Sequence, residues 1–286
     1  MIWYILKRLI AAVPTLIAVL TVVFLIVRVI PGDPAMTVLG DQATPAALEA
    51  LRAKLGTDRP LYVQYWEFLW AALQGDLGRS IWTGAPVSEE IVARIGVTIE
   101  LVISSLAVSV ALAVPAGCLM AYVRGGLADT VVRLLTIVGI TIPSFWLGIV
   151  MLYALVQLAP GLQLVGWVPF GIDPLGNLQR MILPTVALAL PILASLSRIV
   201  RTAMLDALGQ DYIRTARAKG VSERAVVYKH ALRNALIPFV TTVGIVAGYL
   251  FGGAIVVEQV FALPGLGRLI VGAITTAHPE TSSDAR

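Results

Sequence analysis

Four long stretches of this chain contain no Asp, Glu, Lys, Arg or His, and they limit its possible folds more than any other feature. They cover residues 101–121, 134–159, 181–197 and 235–257. An α-helix rises about 1.5 Å per residue and the hydrocarbon core of a bilayer is about 30 Å thick, so helices of these lengths cross a membrane or nearly do so. Only 13% of the residues are charged, against about 25% in soluble domains. We therefore predict an all-α polytopic membrane protein.

A fifth apolar run, residues 9–27, lies near the N-terminus and is 19 residues long. The apolar region of a secretory signal peptide has roughly 7–15 residues, so this run is predicted to remain as a membrane span. Lys7 and Arg8 precede it, and basic residues favour the cytoplasmic side of a membrane. We expect a cytoplasmic N-terminus and five spans, at about residues 9–29, 99–122, 134–159, 181–197 and 235–257.

The connections between these spans differ in charge as this topology requires. The predicted cytoplasmic connections contain ten Lys or Arg and four Asp or Glu, which agrees with the positive-inside rule. The same bias explains the isoelectric point near 9.4, so no nucleic-acid partner is predicted. The first outer segment, residues 31–96, contains signals for several helices. It is either a docking surface for an extracytoplasmic substrate-binding protein or a set of helices that lie on the membrane.

The uncharged spans argue against several activities. Ion-coupled carriers usually keep charged residues at mid-membrane, and the chain has no Gly-Lys-Ser/Thr sequence to bind the phosphates of ATP. His230 and His278 fall on opposite sides of the predicted membrane, so no metal site is expected. Ser104, Ser105 and Ser109 have no base in another span to activate them. We predict no enzyme activity and no cofactor bound by this chain. An ATPase-independent carrier or a membrane scaffold is the alternative to a transport subunit.

Two features inside the spans are candidates for a translocation pathway or a subunit seam. Pro143 precedes Ser144 within the span 134–159, and a proline there leaves a backbone carbonyl that neighbouring helices or a water-lined cavity must satisfy. Gly244, Gly248 and Gly252 recur every four residues and form a flat surface for close helix approach. Tight helix packing without a transport role is the other interpretation of this spacing.

Residues 198–234 form the one long basic interval in the second half of the chain, with eight Lys or Arg and three acids. Apolar side chains recur at steps of three and four, which predicts a helix with one apolar face; these are Leu205, Leu208, Tyr212 and Ala216. Gly220 is placed to end this helix in the left-handed conformation, and Ser222 can begin a second one. We predict two short helices around a tight turn that a partner protein binds.

This interval also carries a resemblance to a known family. Ala216 and Gly220, spaced as in YIRTARAKG, resemble the EAA motif of ABC-importer permeases, and HALRNALIP is similar to the dipeptide/oligopeptide/nickel subfamily. Arg214 stands where the general motif has Glu, and Arg233 where it has Pro, which is also the style of that subfamily. The sequences PGDP at 31–34 and GDLG at 75–78 extend the resemblance, which covers about residues 1–275 and is closest to the first, B-type, permease chain.

The resemblance implies the type I ABC importer transmembrane-domain fold, with residues 1–286 as a single permease domain in the bacterial inner membrane. It implies that residues 198–234 form a cytoplasmic coupling loop that transmits the motion of an ATPase. The residues placed in contact with the ATPase are Tyr212, Arg214, Thr215, Ala216, Arg217, Ala218, Lys219 and Gly220. The implied partners are a second, homologous permease subunit, two cytoplasmic ATPase domains that bind ATP and Mg, and an external binding protein. The cargo is a peptide or similar small solute.

The C-terminal region departs from the family pattern. Residues 261–269 resemble the outer re-entrant segment that precedes the family's last span, but residues 270–274 are too short to cross a bilayer. The family has six spans, whereas five are predicted here. We therefore expect the last transmembrane helix to be lacking and residues 275–286 to form a truncated tail on the outer side.

Overall fold

The computed structural model describes residues 2–29, 34–40, 43–80, 83–123, 125–159, 161 and 164–277. These residues form α-helices and their connections, with an isolated antiparallel bridge between Arg79 and Pro86. The chain divides into two compact units, residues 1–93 and 94–286. The helices are α1 (Ile2–Val29), α2 (Pro34–Leu39), α3 (Pro45–Leu55), α4 (Leu61–Leu73), α5 (Val87–Tyr122), α6 (Leu127–Thr141), α7 (Ser144–Leu158), α8 (Pro174–Leu208), α9 (Asp211–Ala218), α10 (Glu223–Ala225), a π-helical turn (Val226–Ala231), α11 (Leu232–Val260) and α12 (Leu266–Ala277).

In the first unit, α1 packs against α4 through aromatic and hydroxyl side chains. The ring of Phe24 lies 5.4 Å from that of Tyr65 and 5.7 Å from that of Phe68, centroid to centroid. The hydroxyl groups of Thr21 and Tyr65 are 2.7 Å apart. Helix α3 begins after Thr44, whose side chain accepts a hydrogen bond from the Ala47 amide, and ends at Gly56. Both ends agree with the helix signals expected in the outer segment 31–96.

The second unit is a helical bundle in which α5 and α8 run parallel and in register. The hydroxyl of Ser105 donates to the carbonyl of Thr185, and that of Ser109 donates to the carbonyl of Ala189. Gly117 lies at the closest approach of these helices, where a Cβ atom would stand 2.5 Å from the Cβ of Val200. The three serines of the sequence analysis are thus part of helix packing, because Ser104 also pairs with Thr185.

Four described helical segments are long and apolar enough to cross a membrane. They are Ile5–Ile26, Val87–Tyr122, Pro174–Leu208 and Glu223–Val260. A fifth crossing is formed only if α6 and α7 count as one span, because these two helices meet at 101°. Ile142 is extended before Pro143, as the ring of a following proline requires. The residues predicted as one span at 134–159 therefore belong to two helices with a bend of 101° between them.

Helix α5 begins within the outer segment 31–96, at Val87, and continues without interruption to Tyr122. In the interval 198–234, α8 extends to Leu208, α9 covers Asp211–Ala218 and a helix starts again at Glu223. Residues 31–33 of the PGDP sequence and residues 278–286 of the predicted tail lie outside the described residues.

Candidate coupling site

Helix α9 is short and amphipathic, and it contains most of the residues that the sequence places in the coupling loop. Ile213 and Ala216 are buried. The other residues predicted to contact an ATPase are exposed; they are Tyr212, Arg214, Thr215, Arg217, Ala218, Lys219 and Gly220. The predicted helix was to include Leu205 and Leu208, but these two residues belong to the end of α8 and are separated from α9 by Gly209 and Gln210. The apolar face of α9 is thus narrower than the sequence spacing indicated.

The turn after α9 is closed by two hydrogen bonds of a Schellman motif. The amide of Val221 donates to the carbonyl of Ala216 at 3.2 Å, and the amide of Gly220 donates to the carbonyl of Arg217 at 2.9 Å. Gly220 has a φ of +77°, a left-handed conformation that glycine adopts without steric cost. A Cβ atom there would meet no other atom within 4 Å. The backbone angle, and not crowding, is therefore the reason for glycine at this position.

An ion pair spans this turn from one side to the other. The Arg217 guanidinium donates through Nε to Glu223 at 3.1 Å and through Nη2 to the other carboxylate oxygen. These hydrogen bonds hold the pKa of Glu223 below its ordinary value. Glu223 is the first residue of α10, where its charge also suits the helix N-terminus. Ser222 occupies the predicted cap position, but its side chain makes no capping hydrogen bond.

A second polar contact connects α9 to α11. The side-chain amide of Asn234 in α11 donates to the hydroxyl of Tyr212 at 2.7 Å. The second short helix predicted after Ser222 is not a separate element, because α10 continues through the π-helical turn into α11. The α9 segment is therefore joined directly to a helix that is long enough to cross the membrane.

The buried side of α9 belongs to one apolar cluster that connects several helices of the second unit. Ile213 and Ala216 share this cluster with residues of α5, α8, the π-helical turn and the start of α11. These residues include Ala113, Cys118, Val200, Met204, Val226, Val227, Ala231 and Ala235. Protein interiors are packed as densely as organic crystals, so a displacement of α9 displaces the helix ends packed against it.

Sequence reasoning missed a second connection at this end of the bundle. Asp129, in the first turn of α6, accepts two hydrogen bonds from the guanidinium of Arg201 in α8, each 3.1 Å long. Asp129 is buried and also accepts a hydrogen bond from the amide of Gly125. The signal was available, since an acid stands at the edge of an otherwise apolar run, but the sequence alone did not indicate its partner.

The pathway candidates are not among the residues of the apolar cluster that holds the buried side of α9. Pro143 and Ser144 form the bend between α6 and α7, where Pro143 is exposed and Ser144 half-buried. Gly244, Gly248 and Gly252 are exposed on α11, and a Cβ atom at any of them would meet nothing within 4 Å. In the described part of the second unit, this stripe packs against no other helix. Among the residues searched, no three His, Cys, Asp or Glu lie together as metal ligands would.

The opposite end of the bundle contains a buried carboxylate. Glu258 is fully buried and accepts hydrogen bonds from the hydroxyl of Thr98 at 2.6 Å and from the amide of Gly267 at 2.7 Å. The amide of Arg268 donates to the same carboxylate at 3.3 Å, and the amide of Leu266 donates to Thr98. Glu258 thus caps the N-terminus of α12. Its sequence position indicated the end of a span but not this role.

The chain matches the family described as "binding-protein-dependent transport system inner membrane component" over residues 113–279, and the N-terminal region of that family over residues 1–102. It belongs to this family. It is therefore a multi-pass inner-membrane permease subunit of an ABC importer, and the predicted fold class and subfamily resemblance are confirmed.

Two relatives illustrate the similarity. A putative peptide transport system permease protein of Brucella abortus is 43% identical over 270 residues, which cover 94% of this chain and 86% of the relative. A glutathione transport system permease protein of Escherichia coli is 42% identical over 273 residues, covering 95% of this chain and 86% of the relative.

Proposed function

We propose that this permease subunit imports peptides or similar small solutes and that residues 211–220, named here the coupling segment, transmit the motion of an ATPase to the spans. Relatives that cover nearly the whole chain carry the names of peptide and glutathione transport systems, which supports the solute class. Pairing with a second permease chain and with two ATPase domains that bind ATP and Mg belongs to the same proposal.

The coupling segment carries this proposal because it is exposed on one side and rigidly attached on the other. Arg214, Arg217 and Lys219 present basic side chains outward, while Ile213 lies in the apolar cluster beneath. The Schellman turn and the Arg217–Glu223 ion pair fix the C-terminal end of α9. A short, capped helix with these attachments can transmit a displacement to the spans without unfolding.

The topology we propose places the N-terminus and the coupling segment in the cytoplasm. The basic connections support it through the positive-inside rule. Residues 31–96 then lie outside, on the same side of the membrane as the external binding protein. We also propose that the exposed stripe of Gly244, Gly248 and Gly252 faces the second permease chain, because small residues let two helices approach closely. The bend at Pro143 and Ser144 belongs to the pathway in this arrangement.

The test uses the complete importer in proteoliposomes, with ATP hydrolysis and solute uptake measured together. In Gly220→Val a β-branched residue must adopt a left-handed conformation, which costs about 1–2 kcal/mol. We expect ATP hydrolysis to persist and uptake to fall roughly tenfold, since 1.4 kcal/mol corresponds to a factor of ten. In Gly220→Asn uptake should be kept, because asparagine tolerates this conformation.

A matched control is available at Gly56, which ends α3. Its φ is +66°, the amides of Gly56 and Thr57 donate to Ala53 and Arg52, and a Cβ atom there also meets nothing within 4 Å. Gly56→Val therefore imposes the same strain outside the coupling segment, and we expect uptake and hydrolysis to stay coupled. Equal uptake in Gly220→Val and Gly56→Val would contradict the proposed role.

A further inference from the structure

A cleft of about 570 Å³ lies at the end of the bundle opposite α9, and two arginines line it. Arg94 comes from the first part of α5 in the second unit, and Arg268 comes from the first turn of α12. Between them the wall contains Gln259, Pro264, Val271 and Thr275. Its volume lies in the range of small-molecule sites, roughly 300–1,000 Å³.

The cleft is positively charged, and its two arginines use few of their N–H donors within the described part of the second unit. Arg94 has no hydrogen-bond or ion-pair partner within the described part of the second unit. Arg268 uses one of its donors for the carbonyl of Ala262, at 3.1 Å, and a guanidinium has five N–H donors. None of the described residues that line the cleft is acidic. Gln259 adds a side-chain amide that can donate or accept hydrogen bonds, whereas the Thr275 hydroxyl already donates to the backbone carbonyls of Val271 and Gly272.

The nearby carboxylate of Glu258 does not occupy the cleft, because its hydrogen bonds lie inside the protein. It is fully buried and receives the hydroxyl of Thr98 and the amides of Gly267 and Arg268. These amides form the positive end of α12, which stabilises a negative charge placed there. The backbone at this helix terminus is thus satisfied by Glu258, and an anion in the cleft must be held by the arginine side chains.

The same contacts fix the relative positions of the two backbone segments that carry the arginines. Arg94 lies one helical turn before Thr98 on α5, and Thr98 contacts both Glu258 and the amide of Leu266. Arg268 follows Leu266 by two residues. A side-chain pair whose supporting backbone is held in this way loses less entropy on binding. Guanidinium groups pair with carboxylates through parallel, charge-assisted hydrogen bonds.

We propose that this cleft binds a carboxylate of the transported solute, and that Arg94 and Arg268 select solutes with a free carboxylate, such as peptides with a free C-terminus. The inference rests on the proposed function, since it requires that solute passes this end of the bundle. Peptides have a terminal carboxylate, and a cleft of this volume that presents two arginines can accept one small solute molecule.

The test measures binding of trialanine and of trialanine amide to the assembled membrane complex in phosphatidylcholine nanodiscs. The external binding protein and nucleotide are omitted, because the binding protein holds peptides itself. A charged hydrogen bond contributes roughly 1.5–3 kcal/mol, so we expect the free acid to bind at least about tenfold more tightly than the amide. Arg94→Gln and Arg268→Gln should each reduce this preference, and the double variant should abolish it.

Arg180→Gln is the matched control. Arg180 lies on α8 at the same end of the bundle but does not line the cleft, so the preference should remain. Equal binding of acid and amide by the unmodified complex would overturn the proposal, as would a preference that survives in the double variant. In a separate assay with the external binding protein added, loss of its docking in the double variant, together with equal binding of acid and amide by the unmodified complex, would assign the cleft to a carboxylate of that protein and overturn the proposal.

Two further results separate the remaining explanations. Displacement of trialanine by phosphatidylglycerol added to the nanodiscs would assign the arginines to a lipid headgroup and contradict the proposal. Gly220→Val should keep the acid preference, because the coupling segment lies at the other end of the bundle. Failure of coupling in that variant and failure of carboxylate binding in the arginine variants are therefore independent outcomes.

Discussion

Asp129 and Arg201 form a two-point ion pair that joins the start of α6 to α8, with both nitrogen–oxygen distances at 3.1 Å. Removing the carboxylate of Asp129 leaves the charge of Arg201 partly buried and without its partner. We expect Asp129→Asn to lower the melting temperature of the purified protein by several degrees. Arg201→Lys should have a smaller effect, because lysine retains the charge but cannot make two parallel hydrogen bonds.

The exposed pair of Arg214 with Asp211 provides the control for this prediction. Its side chains are 76% and 93% exposed, and exposed pairs contribute little to stability. Arg214→Lys should leave the melting temperature unchanged. A melting temperature for Asp129→Asn equal to that of the unmodified protein would show that the pair does not stabilise the bundle.

The cap formed by Glu258 predicts local opening of α12 when the carboxylate is altered. In Glu258→Gln one acceptor oxygen becomes an N–H donor, so at least one of Thr98, Gly267 and Arg268 loses its acceptor. A hydrogen bond to a charged group contributes roughly 1.5–3 kcal/mol, so amide hydrogen exchange in Leu266–Ala277 should accelerate about 10- to 100-fold. Glu100→Gln is the control, because Glu100 accepts from Trp167 and not from α12. Unchanged exchange in α12 would refute the cap.

Two glycine substitutions distinguish packing within the chain from packing against a partner. At Gly117 a Cβ atom would overlap with Val200 and with the carbonyl of Ser197. Gly117→Ala should therefore destabilise the purified chain by about 1–3 kcal/mol. Gly248→Ala should not destabilise the chain, because no atom lies near and alanine favours a helix more than glycine does. Denaturant unfolding of both variants measures this difference, and equal destabilisation would contradict the assignment.

The ion pair across the turn after α9 predicts a dependence on acid pH. Arg217 lowers the pKa of Glu223, so the pair stabilises the turn above the ordinary pKa of glutamate and is lost as the pH falls through the lowered value. Coupling of hydrolysis to uptake should thus be constant near neutral pH. Glu223→Gln should reproduce the acidic state at neutral pH, with a loss of about 0.2–1 kcal/mol because the pair is half-exposed. A coupling ratio in Glu223→Gln identical to the unmodified protein would remove this pair from the mechanism.

The spans were predictable because hydrophobicity and helix length are local properties. Residues 9–29 and 235–257 each fall within a helix of the structure, and Gly220 ends a helix where its backbone freedom indicated. The left-handed conformation is a property of glycine itself and needs no knowledge of distant contacts. Orientation across the membrane and contact with an ATPase stay predictions, since they depend on molecules other than this chain.

The misplaced boundaries have a tertiary cause. Leu205 and Leu208 match the apolar spacing of Tyr212 and Ala216, but they pack as the last turn of α8 against the common apolar cluster. Pairings between residues distant in the sequence, such as Glu258 with Thr98, could not be predicted from the sequence either. A residue that looks like the polar end of a span is, in the folded chain, 160 positions from its hydrogen-bond donor and fully buried.

The π-helical turn Val226–Ala231 lies between α9 and α11, so it determines how α9 is oriented relative to α11. Such a turn contains one residue more than an α-helical turn, and one residue corresponds to a rotation of about 100° around a helix axis. Residues beyond this turn, such as Leu250, are therefore rotated around the helix axis relative to residues before its end, such as Val227, by a different angle than in a regular helix. Deleting a single residue between 226 and 231 would preserve a continuous helix yet point the basic side chains of α9 toward a different neighbour.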